Sequence, residues 1–233
     1  MSRRKILGLL IPIACAALFV RLGFWQLSRL AEKRAFNAVL AGRIAAAPVA
    51  ITTLPADTAL GHYRRVTASG PMLYDREVVY AGRSHEGSPG ADILTPMRVA
   101  GDTVVMINRG WAYSSDAASL DLTRWKEKDS ATVSGFAETY AGKERGDGVR
   151  TAGLRRVHSL DRAAVQALVG LPVAPYVLVQ TSDSAHAPRG DSIPVRLVVP
   201  ALDEGPHQSY AMQWFGFALV SLFGGVALFR RSR

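Results

Sequence analysis

Two long apolar segments, one near each end of the chain, dominate its hydrophobic pattern. Residues 211–229 contain no charged side chain, which gives about the 20 residues that a helix needs to cross a bilayer core. Residues 6–27 form a second apolar stretch if Arg21 extends its charged end to the membrane interface. The pattern predicts two transmembrane helices, at residues 6–27 and 207–229.

A cleaved signal peptide is the alternative for the first segment. Residues 2–5 are basic and small residues follow at 14–17, as in a secretion signal. A lipoprotein anchor at Cys15 fits less well, because Pro12 stands where an aliphatic residue is expected.

The charges beside the two segments predict an orientation. Residues 1–5 and 230–233 are both basic, and positively charged flanks stay on the cytoplasmic side. Three cations within residues 29–34 oppose this arrangement on the first segment's other flank. We expect a multi-pass protein of the cell inner (plasma) membrane, with both termini cytoplasmic and residues 28–206 extracytoplasmic.

Short runs of β-branched or alternating residues, separated by Gly, Pro and Asp, fill the middle of the chain and predict strands. They lie at residues 63–73, 77–82, 92–99, 103–111, 131–137, 176–180 and 193–199. The predicted fold class is therefore an α+β membrane protein, in which two terminal transmembrane helices flank one β-rich, mainly antiparallel domain.

Two helices and two loops complete the prediction for this domain. One helix covers residues 162–169, with Ser159 or Asp161 as its N-cap and Gly170 after its end. The other covers residues 31–40. Segments rich in Gly, Asp and Ser predict mobile loops, which lie at residues 141–153 and 182–191.

The charge and the cysteine content narrow the function. The net charge of +9 and the pI near 10.1 are compatible with nucleic-acid binding. However, the cations cluster beside the apolar segments and no nucleic-acid-binding signature is present, so a basic collar facing anionic lipid is the better interpretation. The single cysteine, Cys15, excludes an intramolecular disulfide or a paired thiol site.

Sequence motifs of enzymes are missing. The chain has no Gly-x-Ser-x-Gly, His-Glu-x-x-His, Walker or Gly-x-Gly-x-x-Gly motif, and its five histidines are not spaced as metal-binding pairs. We expect no enzymatic activity. A membrane-anchored hydrolase remains an alternative that only detected turnover would support.

His207 is the most informative single residue. If a helix starts there, His207, Tyr210, Ala211 and Trp214 share one face. One interpretation is an interfacial histidine beside two aromatic membrane anchors. The other is an axial ligand to haem iron, with Ala211 leaving room for the macrocycle and Trp214 packing against it.

Four blocks of this sequence, in order, resemble the Surfeit locus protein family. They are residues 22–29, residues 63–66 with Gly70, residues 107–111 and residues 205–215. The resemblance implies an assembly factor for haem-copper terminal oxidases, above all cytochrome c oxidase. It also implies binding of haem a, as described for bacterial members.

The family's haem-linked histidine and tryptophan match His207 and Trp214, and its first block matches Gly23, Trp25, Gln26 and Arg29. In the predicted topology, Trp25 and Arg29 reach the same interface as His207. Arg29 or Arg21 is then a partner for the haem propionates, or else extends to lipid head groups. The chain departs from many members at residues 203–206, where Asp-Glu-Gly-Pro replaces asparagines.

Arg109 is a further candidate, in the segment Asn108-Arg-Gly-Trp111. A turn with Gly110 at a special backbone angle is the default interpretation. If that turn lies over the membrane, Arg109 and Trp111 contact haem or the oxidase instead.

The expected function is to receive haem a and present it to the oxidase's catalytic subunit. The expected partners are cytochrome c oxidase subunit I, haem a synthase and the lipid bilayer, without nucleic acid. The alternative is a membrane scaffold that holds an oxidase assembly intermediate without binding haem.

Overall fold

A computed structural model of the chain describes residues 3–140, 149–151, 153–182, 193–199 and 202–231. Two compact units are present, one formed by Met1–Ala41 with Ala201–Arg233 and the other by Gly42–Pro200. The first is a helix pair and the second is a β domain.

Two long helices form the helix pair. The first, α1, runs Arg3–Ala45 and the second, α4, runs His207–Arg231, so at 1.5 Å per residue they are about 65 and 37 Å long. By length and composition, each is apolar enough to cross a membrane. The separate helix predicted at residues 31–40 is wrong: α1 continues without a break, because residues 28–41 contain neither Gly nor Pro and consist largely of strong helix formers.

Small or tightly packed residues recur at every seventh position on both helices. The buried positions are Ala16, Gly23 and Leu30 on α1, and Ala211, Ala218 and Gly225 on α4. This is the spacing of helices that pack along a narrow seam. The fit is close: a Cβ added at Gly225 would lie 2.6 Å from Cβ of Pro12, and one added at Gly23 would lie 2.5 Å from the ring of Phe215.

Within the described residues, the β domain contains nine strands and two short α-helices. In chain order they are β1 Val49–Ala50, α2 Thr58–Gly61, β2 Arg65–Pro71, β3 Val78–His85, β4 Ser88–Ala100, β5 Thr103–Tyr113, β6 Ser130–Thr139, β7 Val149–Thr151, β8 Leu154–Val157, α3 Arg162–Val169 and β9 Val173–Gln180.

All nine strands belong to one sheet with the order β1-β2-β6-β9-β5-β4-β3-β8-β7. The pairs β1/β2, β3/β8 and β5/β9 are parallel, and the other neighbours are antiparallel. The sheet is therefore mixed, which corrects the prediction of a mainly antiparallel domain. Parallel strands need a long connection: α2 lies between β1 and β2, and other strands lie between the members of the other two parallel pairs.

Alternate residues of the central strands fill two cores, one on each face of the sheet. Val105 and Ile107 of β5 enter one core, while Val104 and Met106 enter the other. The sheet also curls, because Met72 just after β2 bridges to Met97 of β4. The second core is closed by α3, whose N-cap Asp161 and left-handed Gly170 confirm the predicted helix.

The remaining predicted elements have mixed outcomes. Six of the seven predicted strands are present with shifted ends, whereas residues 193–199 form isolated bridges at Val195 and Leu197 instead of a strand. The predicted loops at 141–153 and 182–191 lie largely outside the described residues, and β7 falls within the first of them.

Candidate functional site

His207 begins α4 and is held by a side chain of α1. Its Nδ1 lies 2.8 Å from Oε1 of Gln26, which is only 9% exposed. His207 itself is half-buried. Within the described part of the chain, Nδ1 is the ring nitrogen with a hydrogen-bonding partner, and Nε2 has none.

The turn before α4 places Gly205 beside Nε2 of His207. Gly205 adopts φ +70°, a left-handed conformation that glycine accepts at little cost, and its amide donates to the carboxylate of Asp203 at 2.9 Å. A Cβ at Gly205 would lie 3.5 Å from Nε2 of His207. The site therefore places a glycine next to the one open nitrogen of the imidazole.

Two interactions attach this turn to α1. Arg34 donates to both carboxylate oxygens of Glu204, at 3.0 and 2.8 Å, and Asn37 donates to the backbone carbonyl of Asp203 at 3.1 Å. The hydrogen bonds from Arg34 hold the pKa of Glu204 below its ordinary value. The acidic turn at residues 203–204 is thus a set of acceptors for α1.

The face of α4 that was predicted to hold a flat ligand is partly occupied. Trp214 stacks on Phe19 of α1, with ring centroids 5.7 Å apart, and Ala211 is fully buried. The expectation that Ala211 leaves room for a macrocycle is therefore wrong, because α1 fills that space. Tyr210 remains 45% exposed.

Trp25 and Arg29 lie on α1, as Gln26 does, but their side chains do not meet His207. Trp25 is 53% exposed, whereas its neighbour Gln26 is the residue that meets His207. Arg29 pairs with Glu32 at 2.6 Å, with both side chains more than half exposed. An exposed pair of this kind is weak, so the guanidinium stays available to a stronger anion.

Gln26 is the site residue that sequence reasoning did not select. The signal was its helical spacing: Gly23, Gln26 and Leu30 lie at i, i+3 and i+7 and share the buried face of α1. A polar residue on such a face needs a partner, and the partner is His207.

Arg109 has a structural setting in the β domain. It lies within the continuous strand β5 and is 1% exposed. The predicted turn is therefore wrong, whereas the special backbone angle predicted at Gly110 is confirmed, and the buried guanidinium offers no exposed group for the alternative contact with haem or the oxidase. Its five N–H groups are all used. They donate to Glu77 at 2.8 Å, Thr95 at 3.3 Å, Glu127 at 3.1 and 2.8 Å, and the carbonyl of Trp125.

A second arginine completes this network. Arg196 donates to Glu127 at 2.5 Å and to the carbonyl of Arg109, so two arginines face two glutamates and the charges balance. Burial raises the pKa of Glu77 against the opposing hydrogen bonds from Thr95 and Arg109. Burial also acts on Glu127, but its pairs with Arg109 and Arg196 hold that pKa below its ordinary value.

The backbone around Arg109 explains why a glycine follows it. Gly110 has φ +120°, and a Cβ there would strike the carbonyl of Val195, which accepts from the amide of Trp111 at 2.9 Å. Trp111 is itself buried, at 8% exposed. The third sequence block therefore builds the interior of the β domain.

A groove of about 500 Å³ also opens on the β domain. Asp92 lies at its floor, 3.0 Å from Nδ2 of Asn108 and 3.5 Å from Nε of Arg83. Burial raises the pKa of Asp92, while Asn108 and Arg83 oppose the shift. The amide oxygen of Asn108 accepts from Gly110, so the deepest polar groups satisfy one another.

Comparison with known proteins decides the family. The SURF1 family model matches residues 13–219, which include most of α1, the β domain and the first half of α4. The chain belongs to the SURF1 family. An uncharacterised SURF1-like protein of Mycobacterium tuberculosis is 28% identical over 214 residues, covering 88% of this chain and 76% of that protein.

Two further relatives widen this similarity. A SURF1-like protein of Rickettsia felis is 23% identical over 228 residues, covering 96% of each chain. One of Drosophila melanogaster is 26% identical over 230 residues, covering 87% of this chain and 71% of that protein. The predicted family resemblance is confirmed, and it extends along nearly the whole chain.

Proposed function

We propose that this protein is a membrane-anchored assembly factor for a haem-copper terminal oxidase, and that it binds haem a through His207 and delivers it to the catalytic subunit. The SURF1 family is known generally as a family of oxidase assembly factors, which supports the first part. The second part is supported by one observation: His207 stands at the start of a long apolar helix with Nδ1 bonded to Gln26 and Nε2 open.

The residues at this site fit a haem iron. A neutral imidazole with one nitrogen hydrogen-bonded is the usual form of an iron-ligating histidine, and Gly205 leaves the other nitrogen accessible. When bound, the haem would supply an iron centre with a ligand position for the imidazole. His207 would hold it and the guanidinium of Arg29 would pair with a propionate, released from its exposed partner Glu32.

Trp214 and Tyr210 would act at the edges of the ligand. Because Trp214 is fixed against Phe19 and Ala211 is buried, the ligand lies against the outside of the helix pair near its His207 end. Tyr210 and Trp25 are exposed there and would shield the macrocycle from water or lipid. A site on the outer surface of two helices suits a cargo that must later leave.

In this proposal, the helices cross the inner membrane with both termini in the cytoplasm, as the basic residues 2–5 and 230–233 favour. The β domain is then extracytoplasmic. The arginine network of the β domain is fully hydrogen-bonded and leaves no cationic site open at Arg109. We propose that this domain contacts the oxidase subunit I and haem a synthase.

A scaffold that stabilises an assembly intermediate without haem is the second candidate. It is favoured by the filling of the space over Ala211. The two candidates differ in whether oxidase assembly depends on His207.

The test is the optical spectrum of detergent-purified protein from cells that make haem a. Wild type, His207→Ala and the exposed-histidine control His158→Ala are compared. We expect a stoichiometric haem a band in wild type and in His158→Ala that is lost in His207→Ala. Haem-free wild type, with oxidase assembly unaffected by His207→Ala, supports the scaffold instead.

A further inference from the structure

We propose that Gln26 is a positioning residue that fixes the tautomer of His207, keeping the proton on Nδ1 and leaving the lone pair of Nε2 free for a metal ion. This inference rests on the proposed function, because a free Nε2 has a use only if iron binds there. It assigns to the first helix a direct part in preparing the ligand that the second helix carries.

The chemistry of the two side chains carries the first step. Oε1 of Gln26 lies 2.8 Å from Nδ1 of His207. An amide oxygen only accepts hydrogen bonds, so the nitrogen that faces it must carry the proton. A neutral imidazole has a single N–H, and Nε2 of His207 is then the unprotonated nitrogen.

Burial restricts the position of the Gln26 side chain. Gln26 is 9% exposed and follows the same helix face as Gly23 and Leu30, both buried. Gly23 packs closely against the ring of Phe215, so the helices leave little freedom at this level. A buried amide that lost its partner would destabilise the folded state.

The surroundings of Nε2 are consistent with the same assignment. Within the described residues, this nitrogen has no hydrogen-bonding partner that would compete with a metal ion. The nearest turn residue on that side is Gly205, which presents no side chain. The Arg34–Glu204 pair and the Asn37–Asp203 bond hold that turn in place.

A role in helix pairing alone is the competing explanation for Gln26. A hydrogen bond between apolar helices stabilises their association, whichever group donates. Stability measurements therefore do not separate the two roles. The protonation of the individual ring nitrogens does, because only the positioning role requires the proton on Nδ1.

The deciding experiment is ¹⁵N NMR of the full chain in detergent, without haem and with ¹⁵N-labelled histidine, at pH above about 8 where an ordinary imidazole is neutral. The His207 signals are identified by their loss in His207→Ala. We expect protonated Nδ1 in wild type and in Gln26→Glu, which keeps an acceptor. In Gln26→Met, which keeps the length but removes the acceptor, the proton should redistribute toward Nε2.

Haem titration of the same variants gives the second measurement. Gln26→Met should weaken haem a binding by about 10–100-fold, as loss of a ligand-orienting group commonly does. Gln26→Glu should bind haem and shift its reduction potential to more negative values, because a carboxylate makes the imidazole a stronger donor. Gln208→Met, which removes an exposed glutamine beside His207, should match wild type in both measurements.

Protonated Nε2 in the wild-type protein would overturn the assignment, and this result needs no variant to fold. An unchanged tautomer in folded Gln26→Met would overturn it as well. If Nδ1 is protonated as expected but no variant or wild type takes up haem a, the role of Gln26 stands and the proposed haem-binding function fails.

Discussion

Both units of this protein contain a polar group that the sequence marks as unusual, the buried Arg109 in the β domain and the half-buried His207 in the helix pair. The five N–H groups of Arg109 all find acceptors, and two glutamates balance two arginines around it. His207 has one nitrogen bonded to Gln26 and one without a partner among the described residues. The first cluster is complete in itself, whereas the second has an unused ligand position.

Whether every polar group of a residue has a hydrogen-bonding partner distinguishes a structural role from a functional one better than the burial or the charge of that residue does. Buried charges are tolerated when they are paired and fully hydrogen-bonded, and nothing is left over for a ligand at Arg109. A half-buried imidazole with a single oriented bond is the state in which a histidine ligates metal. The comparison predicts that changes at Arg109 mainly affect folding and that changes at His207 mainly affect binding.

Arg109→Met should produce the largest loss of stability. The change leaves Glu77 buried without its cation and Glu127 with Arg196 alone, and a broken buried pair costs about 3–5 kcal/mol. The free energy of unfolding of the full chain in mild detergent, followed by circular dichroism of the β domain, measures it. Arg124→Met, at an exposed position, is the control and should stay within about 0.5 kcal/mol. Equal effects of the two changes would contradict the account of the network.

Gly225→Ala should cost less and should act on the helix pair. The new methyl group meets Cβ and Cγ of Pro12 at 2.6 and 2.9 Å, and overpacking of this kind costs about 1–3 kcal/mol. Gly224→Ala is a matched control, because a Cβ there meets no atom of the described chain within 4 Å. Thermal unfolding followed by the helical circular dichroism signal, to which the two long helices contribute most, measures the loss. Destabilisation by Gly224→Ala alone would refute the proposed seam.

Lowering the pH should destabilise the β domain by protonating Glu127, and this loss of stability should be smaller than those caused by Arg109→Met and Gly225→Ala. Its lowered pKa means that its ionised form stabilises the folded state above the ordinary glutamate pKa of about 4.3. That contribution is lost as the pH falls through the lower folded value. The raised pKa of Glu77 acts in the opposite direction, since its protonation favours the folded state.

The measurement is the unfolding midpoint between about pH 6 and pH 3 for wild type and Glu127→Gln. The variant should be less stable at neutral pH and show a shallower decline with acid. Asp102→Asn, whose carboxylate is 82% exposed, should follow the wild-type curve. A variant curve parallel to wild type would show that Glu127 does not carry the acid sensitivity.

The sequence predicted those elements whose signals are local. Uninterrupted apolar stretches gave the two long helices, and Asp161 with Gly170 gave the ends of α3. The parallel pairing of β5 with β9 was not predictable, because register and neighbour depend on contacts between residues far apart in the chain. The same limit hid the burial of Arg109, whose partner Glu127 lies 18 residues away.

The candidate site was likewise predictable only in part from the sequence. His207 stood out through its place at the mouth of an apolar segment, and its helix starts there. Its bond to Gln26 spans 181 residues, so only the pairing of the helices reveals it. The seven-residue recurrence of small residues at 211, 218 and 225 was available in the sequence as a sign of that pairing.

The most direct test of whether Nε2 of His207 binds the haem iron is to remove the side chain and supply free imidazole in its place. Purified haem-free protein is titrated with haem a as wild type, as His207→Gly, and as His207→Gly with added imidazole. The account predicts an imidazole-ligated spectrum in wild type that is lost in His207→Gly and restored by imidazole. Tight binding by His207→Gly without imidazole, or wild type that takes up no haem a, would contradict it.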